Sequence, residues 1–289
     1  MYLPDFDYYV PQTIQEACTL LTQFGDKAKL LSGGTDLMVK FKHGIMPYEA
    51  LVSLKELNEL KEINYQQGKG VIIGSRATHN DLVNSSLLNE KYLSVSEAAH
   101  QMASNQIRHI GTAGGNIVNA VPSADLPPIL IALGATITMI GPDGERTIPL
   151  EEFFTGPGQS VLAQNEVVTC FTIPDQPTTG SNYMKFGLRK SGALAVVGSA
   201  SAVTMEGNII KDAKIALGAV APTPMRAKKA EALLIGKEYT DDLLEQAGIA
   251  ASEECSPISD IRGSGEYRRD MVRVYTKRSL KAAITKGHC

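Results

Sequence analysis

Two short stretches pair glycines beside a threonine: LLSGGTDLM at 30–38 and IGTAGGN at 110–116. Consecutive glycines permit positive φ and can aim successive N–H groups into one concavity. Such a nest holds phosphate oxygens without a lysine, and the missing Cβ lets a ligand touch the backbone. Thr35 and Thr112 can each add a hydroxyl donor, and Asn116 an amide. A single Gly-Gly after a strand is usually only a tight turn. Two in one chain point instead to a diphosphate cradled from two sides. Neutral loops suit a dinucleotide, whereas a nucleoside triphosphate more typically demands lysine and magnesium.

Asp125 is the next residue that could do chemistry. It stands in VPSADLPPIL, a polar turn entering an apolar helix. It can cap that helix, accept hydrogen bonds from ligand hydroxyls such as a ribityl chain, or do both. Histidines 43, 79, 100, 109 and 288 are scattered. His79 and His109 lie near the glycine loops, where a lone histidine is more often a polar loop residue than an acid–base catalyst. The chain has no GxxxxGK[ST], HExxH or GxSxG, and Gly156-Pro157-Gly158 lacks the third glycine of a Rossmann fingerprint. No nucleophile–base pair and no metal box is visible.

The elements around these residues follow from periodicity. Residues 13–24 read as a helix, with Thr13 and Glu16 at capping-box spacing and Gly25 as its stop. Strands are expected at 28–31, 50–53, 71–74, 135–140 and 167–173. Helices are expected at 80–88, 93–104 and 125–133, and Pro142-Asp143-Gly144 marks a hairpin to 146–150. The polar stretch DQPTTGS at 175–181 is the best domain boundary. Beyond it, strands at 184–189, 200–205 and 214–220, with a Gly207-Asn208 turn, lead to helices at 227–234, 240–252 and 265–285. Helix alternation together with hairpins gives an α+β class rather than a doubly wound parallel sheet.

Composition agrees. The chain has 289 residues, 43% hydrophobic and 20% charged, with a net charge of -3. That length predicts two or three packed subdomains, and the charge suggests neither nucleic acid nor an anionic membrane as partner. The basic C-terminal stretch with Arg268, Arg269 and Arg273 has no aromatic stacking platform, so it reads as a solvated or subunit-facing side. The start, MYLPDFDYYVP, has no basic n-region or apolar h-region, and the tract at 126–141 is too short and too broken to span a bilayer. Four separate cysteines (18, 170, 255, 289) make no CxxC, which fits a reducing cytoplasm and no metal site in this chain.

LSGGTDLM at 31–38, QIRHIGTAGGNIVNAVPSADLPP at 106–128 and YMKFGLRKSGALAVVGSASAV at 183–203 resemble the FAD-binding subunit of molybdenum hydroxylases, the group of xanthine dehydrogenase and aerobic carbon monoxide dehydrogenase. The similarity runs through EYRRDMVRVYTKRSLKAAI at 266–284. It implies a vanillyl-alcohol-oxidase-like (PCMH-type) fold. Two α+β FAD-binding subdomains, 1–56 and 57–176, would precede a C-terminal subdomain, 177–289, with a small antiparallel sheet and helices. It also implies FAD contacts from Leu31, Ser32, Gly33, Gly34, Thr35 and Asp36, and from Thr112, Ala113, Gly114, Gly115 and Asn116. Ser123 and Asp125 fall on the ribityl or adenosine side, and Val167 and Lys185 are further contacts. By residue pattern alone, Lys185 would be a solvated strand lysine. The resemblance makes it a cation near the flavin.

The implied activity is electron transfer, from [2Fe–2S] clusters of a small subunit through FAD to an acceptor such as NAD+. A large molybdopterin subunit would oxidise the substrate, with purines as the default. The cofactor would carry the hard chemistry, which accounts for the missing catalytic residues. This chain lacks the inserted cysteine-rich loop of some related reductases, and the fused iron–sulfur and molybdopterin domains of the single-chain enzymes. A self-sufficient flavin reductase or oxidase on the same fold, or a non-catalytic nucleotide-binding protein, are the alternatives. The twin-nest reading predicts that Gly34→Val or Gly114→Val abolishes flavin retention while sparing much of the fold. The FAD content of the purified variants checks it.

Overall fold

The structure is a computed structural model that describes residues 4–45 and 48–286. Cys289 therefore lies outside the described residues. Three sheets follow one another along the chain. The first has β1 (Asp7–Tyr9), β2 (Ala28–Leu31) and β3 (Ala50–Ser53), all parallel, in the order β1-β3-β2. Helix α1 (Ile14–Phe24) connects β1 to β2. Thr13 caps it by accepting from Glu16 N, and Gly25 ends it at φ 53°. Ala17, Cys18 and Leu21 form its buried face. A second helix, α2 (Leu37–Lys42), links β2 to β3.

The second sheet is antiparallel, in the order β4-β5-β10-β6-β7. Its strands are β4 (Ile63–Gln66), β5 (Gly70–Gly74), β6 (Thr136–Gly141), β7 (Gly144–Pro149) and β10 (Val167–Ile173). The β6–β7 hairpin turns where Pro142-Asp143-Gly144 predicts it. A small pair, β8 (Phe154–Gly156) and β9 (Gln159–Ser160), lies between β7 and β10 in the chain. Between β5 and β6 run six short helices: α3 (His79–Asn84), α4 (Ser86–Lys91), α5 (Leu93–His100), α6 (Asn105–Arg108), α7 (Ala113–Val118) and α8 (Leu126–Ala132). The expected single helix at 80–88 is broken at Ser85, whose extended backbone lets its hydroxyl cap α4. Every residue of α8 is buried. Its sequence is apolar all round because it packs between α5 and the third sheet. Two prolines fit its first turn, where their missing N–H groups have no helical partner anyway.

The third sheet is antiparallel: β11 (Gly180–Phe186), β12 (Val197–Glu206), β13 (Ile209–Gly218) and β14 (Met225–Arg226). Helices α9 (Lys228–Leu234) and α11 (Gly265–Lys286) pack against it, and α10 (Asp241–Glu254) packs on those two helices. Strand β11 starts at Gly180, inside the polar stretch that reads as a linker, and ends before the expected 189. Its register places Ser181, Tyr183 and Lys185 on one face. Ser181 meets Ser94 of α5 there, and Tyr183 and Lys185 reach Asp125 at the start of α8.

The largest departure from the sequence reading concerns the second glycine pair. Gly114 and Gly115 are not a loop; they form the first turn of α7, capped by Thr112, whose hydroxyl accepts from Gly115 N at 3.1 Å. The neighbouring amides are engaged as well. Ala113 N donates to Ala77 O, Gly114 N to Ser75 O and Asn116 N to Thr112 O. Glycine is needed here for packing. A Cβ on Gly114 would come 2.7 Å from Ser75 O, and one on Gly33 would come 2.0 Å from Ile110 O. The segment after β2 thus lies directly on the backbone before α7. Gly33→Ala is expected to lower stability by at least about 1–3 kcal/mol, the ordinary cost of overpacking. Gly114→Val is expected to destabilise the fold itself, against the selective flavin loss the nest reading gives. Thermal melting of the FAD-free variants measures both.

Candidate functional site

The contact of the 32–36 segment with residues 110–112 closes one side of a cavity of about 490 Å³. That size lies within the roughly 300–1,000 Å³ of small-molecule and cofactor pockets. Of the residues singled out in the sequence, Ser32, Gly33, Gly34, Thr35, Asp36, Thr112, Gly114, Gly115, Asn116, Ser123, Asp125 and Val167 line it. The structure does not bring Leu31, Ala113 or Lys185 to its wall. Leu31 ends β2, where its carbonyl accepts from Leu54 N. Ala113 is buried in the core. Lys185 stands behind Asp125.

Only the first glycine pair keeps backbone donors available. Among the described residues, the N–H groups of Gly33, Gly34, Thr35 and Asp36 have no hydrogen-bond acceptor. Gly34 adopts φ +71°, which a glycine takes without strain. Two lysines also line this cavity, Lys29 from β2 and Lys40 from α2. Lys40 Nζ donates to Asn119 Oδ1 at 3.0 Å. Burial lowers the Lys29 pKa, and the nearby Lys40 lowers it further. This wall is therefore cationic, not neutral as the sequence reading has it, and an anion between the two ammonium groups would relieve their repulsion.

Asp125 marks a second region. It is 4% exposed. Tyr183 OH donates to its Oδ1 and Lys185 Nζ to its Oδ2, both at 2.8 Å. Lys185 Nζ also donates to Gln101 O at 3.2 Å. Burial raises the Asp125 pKa, while Lys185 and Tyr183 pull it back. Burial, with Asp125 beside it, pushes the Tyr183 phenol well above its ordinary range, so it remains a donor. Lys185 is thus the buried counter-ion of Asp125 and reaches the cavity through it. The same bonds join the third sheet to the start of α8 and the end of α5.

In a third region the sequence reading has only His79, placed near the glycine loops as a polar loop residue, and omits Ser75. Ser75, just after β5, and His79, which opens α3, line the cavity. Ser75 Oγ and His79 Nδ1, with Ser32 Oγ, are buried with no partner in the protein. Buried polar groups nearly always find one, so these atoms fit a polar ligand. Burial, then the neighbouring Arg108 charge, lowers His79 from 6.5 to about 4, leaving it uncharged at neutral pH. The cavity is finally covered from the third-sheet side by Gly192, Ala193 and Leu194. Gly192 N and Ser191 Oγ both donate to the carbonyl of Ala103, which sits at φ 42°.

The profile of the FAD binding domain in molybdopterin dehydrogenase matches residues 4–176, and that of the CO dehydrogenase flavoprotein C-terminal domain matches 182–283. The chain belongs to the FAD-binding subunits of the molybdenum hydroxylase family. It is 36% identical to the carbon monoxide dehydrogenase medium chain of Hydrogenophaga pseudoflava, over 98% of each chain. It is 30% identical to the xanthine dehydrogenase FAD-binding subunit of Escherichia coli O157:H7, over 96% of this chain and 95% of that one. A solved carbon monoxide dehydrogenase from Hydrogenophaga pseudoflava, lacking the Mo-pyranopterin moiety of its molybdenum cofactor, superposes with a TM-score of 0.95 at 35% identity over 99% of both chains. The α+β, PCMH-type architecture is that of these flavoproteins. The cavity fits FAD on its own terms too, through its free amides, its lysine pair and its three partnerless polar atoms.

Two outcomes follow. Lys185→Met leaves a buried carboxylate short of its cation and should cost about 3–5 kcal/mol. Because the Asp125 pKa then rises further, the loss should be largest at neutral pH and shrink as acid protonates the carboxyl; melting at both pH values checks this. His79 is depressed in the fold, so its contribution to stability is complete above about pH 6.5 and lost as pH falls to about 4. The acid decline in Tm of the FAD-free chain should therefore be shallower in His79→Phe.

Proposed function

We propose that this chain is the FAD-carrying electron-transfer subunit of a molybdenum hydroxylase complex, standing between [2Fe–2S] clusters of a small subunit and an electron acceptor. A large molybdopterin subunit would oxidise the substrate. The observation that carries the reading is the cavity where cationic, carboxylate and uncharged regions converge. A flavin dinucleotide needs the same three. Bound there, FAD supplies redox chemistry that ordinary side chains lack.

The chain's own residues bind and orient. The amides of Gly33–Asp36 and the charges of Lys29 and Lys40 would offset the diphosphate. Asp125, held by Tyr183 and Lys185, would accept from ribityl or ribose hydroxyls, with Ser123 and Asn116 beside it. Gly192–Leu194 would exclude water from the enclosed side.

The resemblance implies a finer reading, a xanthine dehydrogenase-like reaction with NAD+ as acceptor. The relative named for xanthine is no nearer to this chain than the one named for carbon monoxide, and nothing in the cavity selects a nicotinamide. Our reading therefore stops at the transfer step and leaves substrate choice to the large subunit. A cytoplasmic setting remains part of it. The three described cysteines are free, and no helix among the described residues is long and apolar enough to cross a membrane. The self-sufficient reductase reading would need substrate turnover by this chain alone.

The test is purification of the native complex with metal, iron–sulfur and flavin analysis. One FAD per chain, with iron–sulfur and molybdenum on co-purifying subunits and no NAD(P)H turnover by the isolated chain, is expected. Lys29→Met with Lys40→Met should weaken FAD binding and flatten its dependence on salt. A colourless native chain, or full turnover by the isolated subunit, would refute the reading.

A further inference from the structure

Ser75 Oγ and His79 Nδ1 have no use in the fold. Ser75 is 5% exposed and His79 1%. Neither position results from a loose loop. Ser75 N donates to Thr169 O on β10, and Ser75 O accepts from Gly114 N. His79 N donates to Gly111 O, and Thr78 and Asp81 form a reciprocal cap on its helix. The backbone thus fixes both residues at the cavity wall, and each keeps one buried polar atom with no partner in the protein.

The surroundings of His79 define what it can meet. A Cβ on Gly111 would lie 3.6 Å from His79 Cδ2 and 3.4 Å from Met102 Cε, so the ring sits in a corner with Met102 and the Gly111 backbone. Ile107 lines the cavity close by. The charged neighbour is Arg108, whose Nη1 donates to Met102 O. An uncharged imidazole in an apolar corner suits a flat ligand with a polar edge. It suits a phosphate poorly, since the free amides and both lysines lie on the wall built by β2, α2 and the segment between them. FAD offers both kinds of group: one charged bridge, and heteroaromatic rings edged with N, N–H and C=O.

We propose that His79 Nδ1 and Ser75 Oγ hydrogen-bond the polar edge of a heteroaromatic ring of bound FAD and so fix its orientation. This rests on the reading that the cavity holds FAD. It adds two contacts outside both glycine segments and assigns a purpose to the short helix α3.

The test uses the full chain with FAD as the probe. In the unsubstituted protein, saturating FAD should move the ¹⁵N resonance of His79 Nδ1, assigned by its absence in His79→Gln, while the imidazole stays uncharged at pH 7. His79→Phe should bind FAD about tenfold more weakly at unchanged stoichiometry, the size of one lost hydrogen bond. It should also alter the absorbance bands of the bound flavin. His79→Gln, which restores a polar atom, should recover most of the affinity, and Ser75→Ala should weaken binding in the same direction. A His79 signal unmoved at saturation overturns the proposal, as does His79→Phe binding like the original. An imidazole that becomes charged on binding puts a phosphate there and overturns it too. Should a variant fail to fold, the resonance in the unsubstituted protein still decides. Failure of that protein to take up FAD at all defeats the reading of the cavity first, before any substitution is made.

Discussion

One stretch of bare backbone lying on another organises this chain. Gly33 rests on the carbonyl of Ile110 so closely that no Cβ can come between them. That contact holds the small parallel sheet against the helical segment inserted into the larger one. The 33–36 segment lines the cavity there, and its amides have no acceptor among the described residues. The same closeness at Gly114 and Ser75 has the opposite result, since there the amide is used up by the fold. Two similar glycine pairs thus do different jobs: one offers donors, and the other packs.

Electrostatics divides the cavity. Lysines 29 and 40 give one wall positive charge. Asp125 gives another a carboxylate, kept ionisable by a lysine and a phenol that both come from the third sheet. A buried carboxylate with two such partners is costly to assemble and damaging to disrupt. It makes the C-terminal region a structural condition of the site as well as its cover. The remaining wall, with Ser75, His79, Met102 and Ile107, carries no formal charge. A dinucleotide whose charge sits at its centre and whose rings sit at its ends meets complementary surroundings along its length.

Much of this was legible from residue order. Helix α1, its Thr13 cap and Gly25 stop, the β6–β7 hairpin and the Gly207-Asn208 turn follow from local chemistry and stand where expected. The QIRHIGTAGGN stretch carries the family, though its conformation was misread. A glycine pair costs a helix roughly 2 kcal/mol in propensity, so α7 is invisible to a propensity argument and depends on Thr112 and the contacts of Ala113 and Gly114. The Thr112–Gly115 spacing of a cap was the signal available. Lys29, Lys40, Ser75 and His79 could not be gathered from sequence. They sit on four separate elements or connections, and only the packing of the first sheet on the second brings them to one space. The resemblance makes Lys185 a flavin contact; the structure instead sets it behind the wall, on the carboxylate of Asp125.

The most direct measurement is a crystal structure of the FAD-loaded chain. This account predicts diphosphate oxygens within hydrogen-bonding distance of the Gly33–Asp36 amides and near Lys29 and Lys40, while Ala113, Gly114 and Asn116 keep their bonds to Ala77, Ser75 and Thr112. A diphosphate seated on released amides of the 113–116 helix turn, with the 33–36 amides turned away, would contradict it.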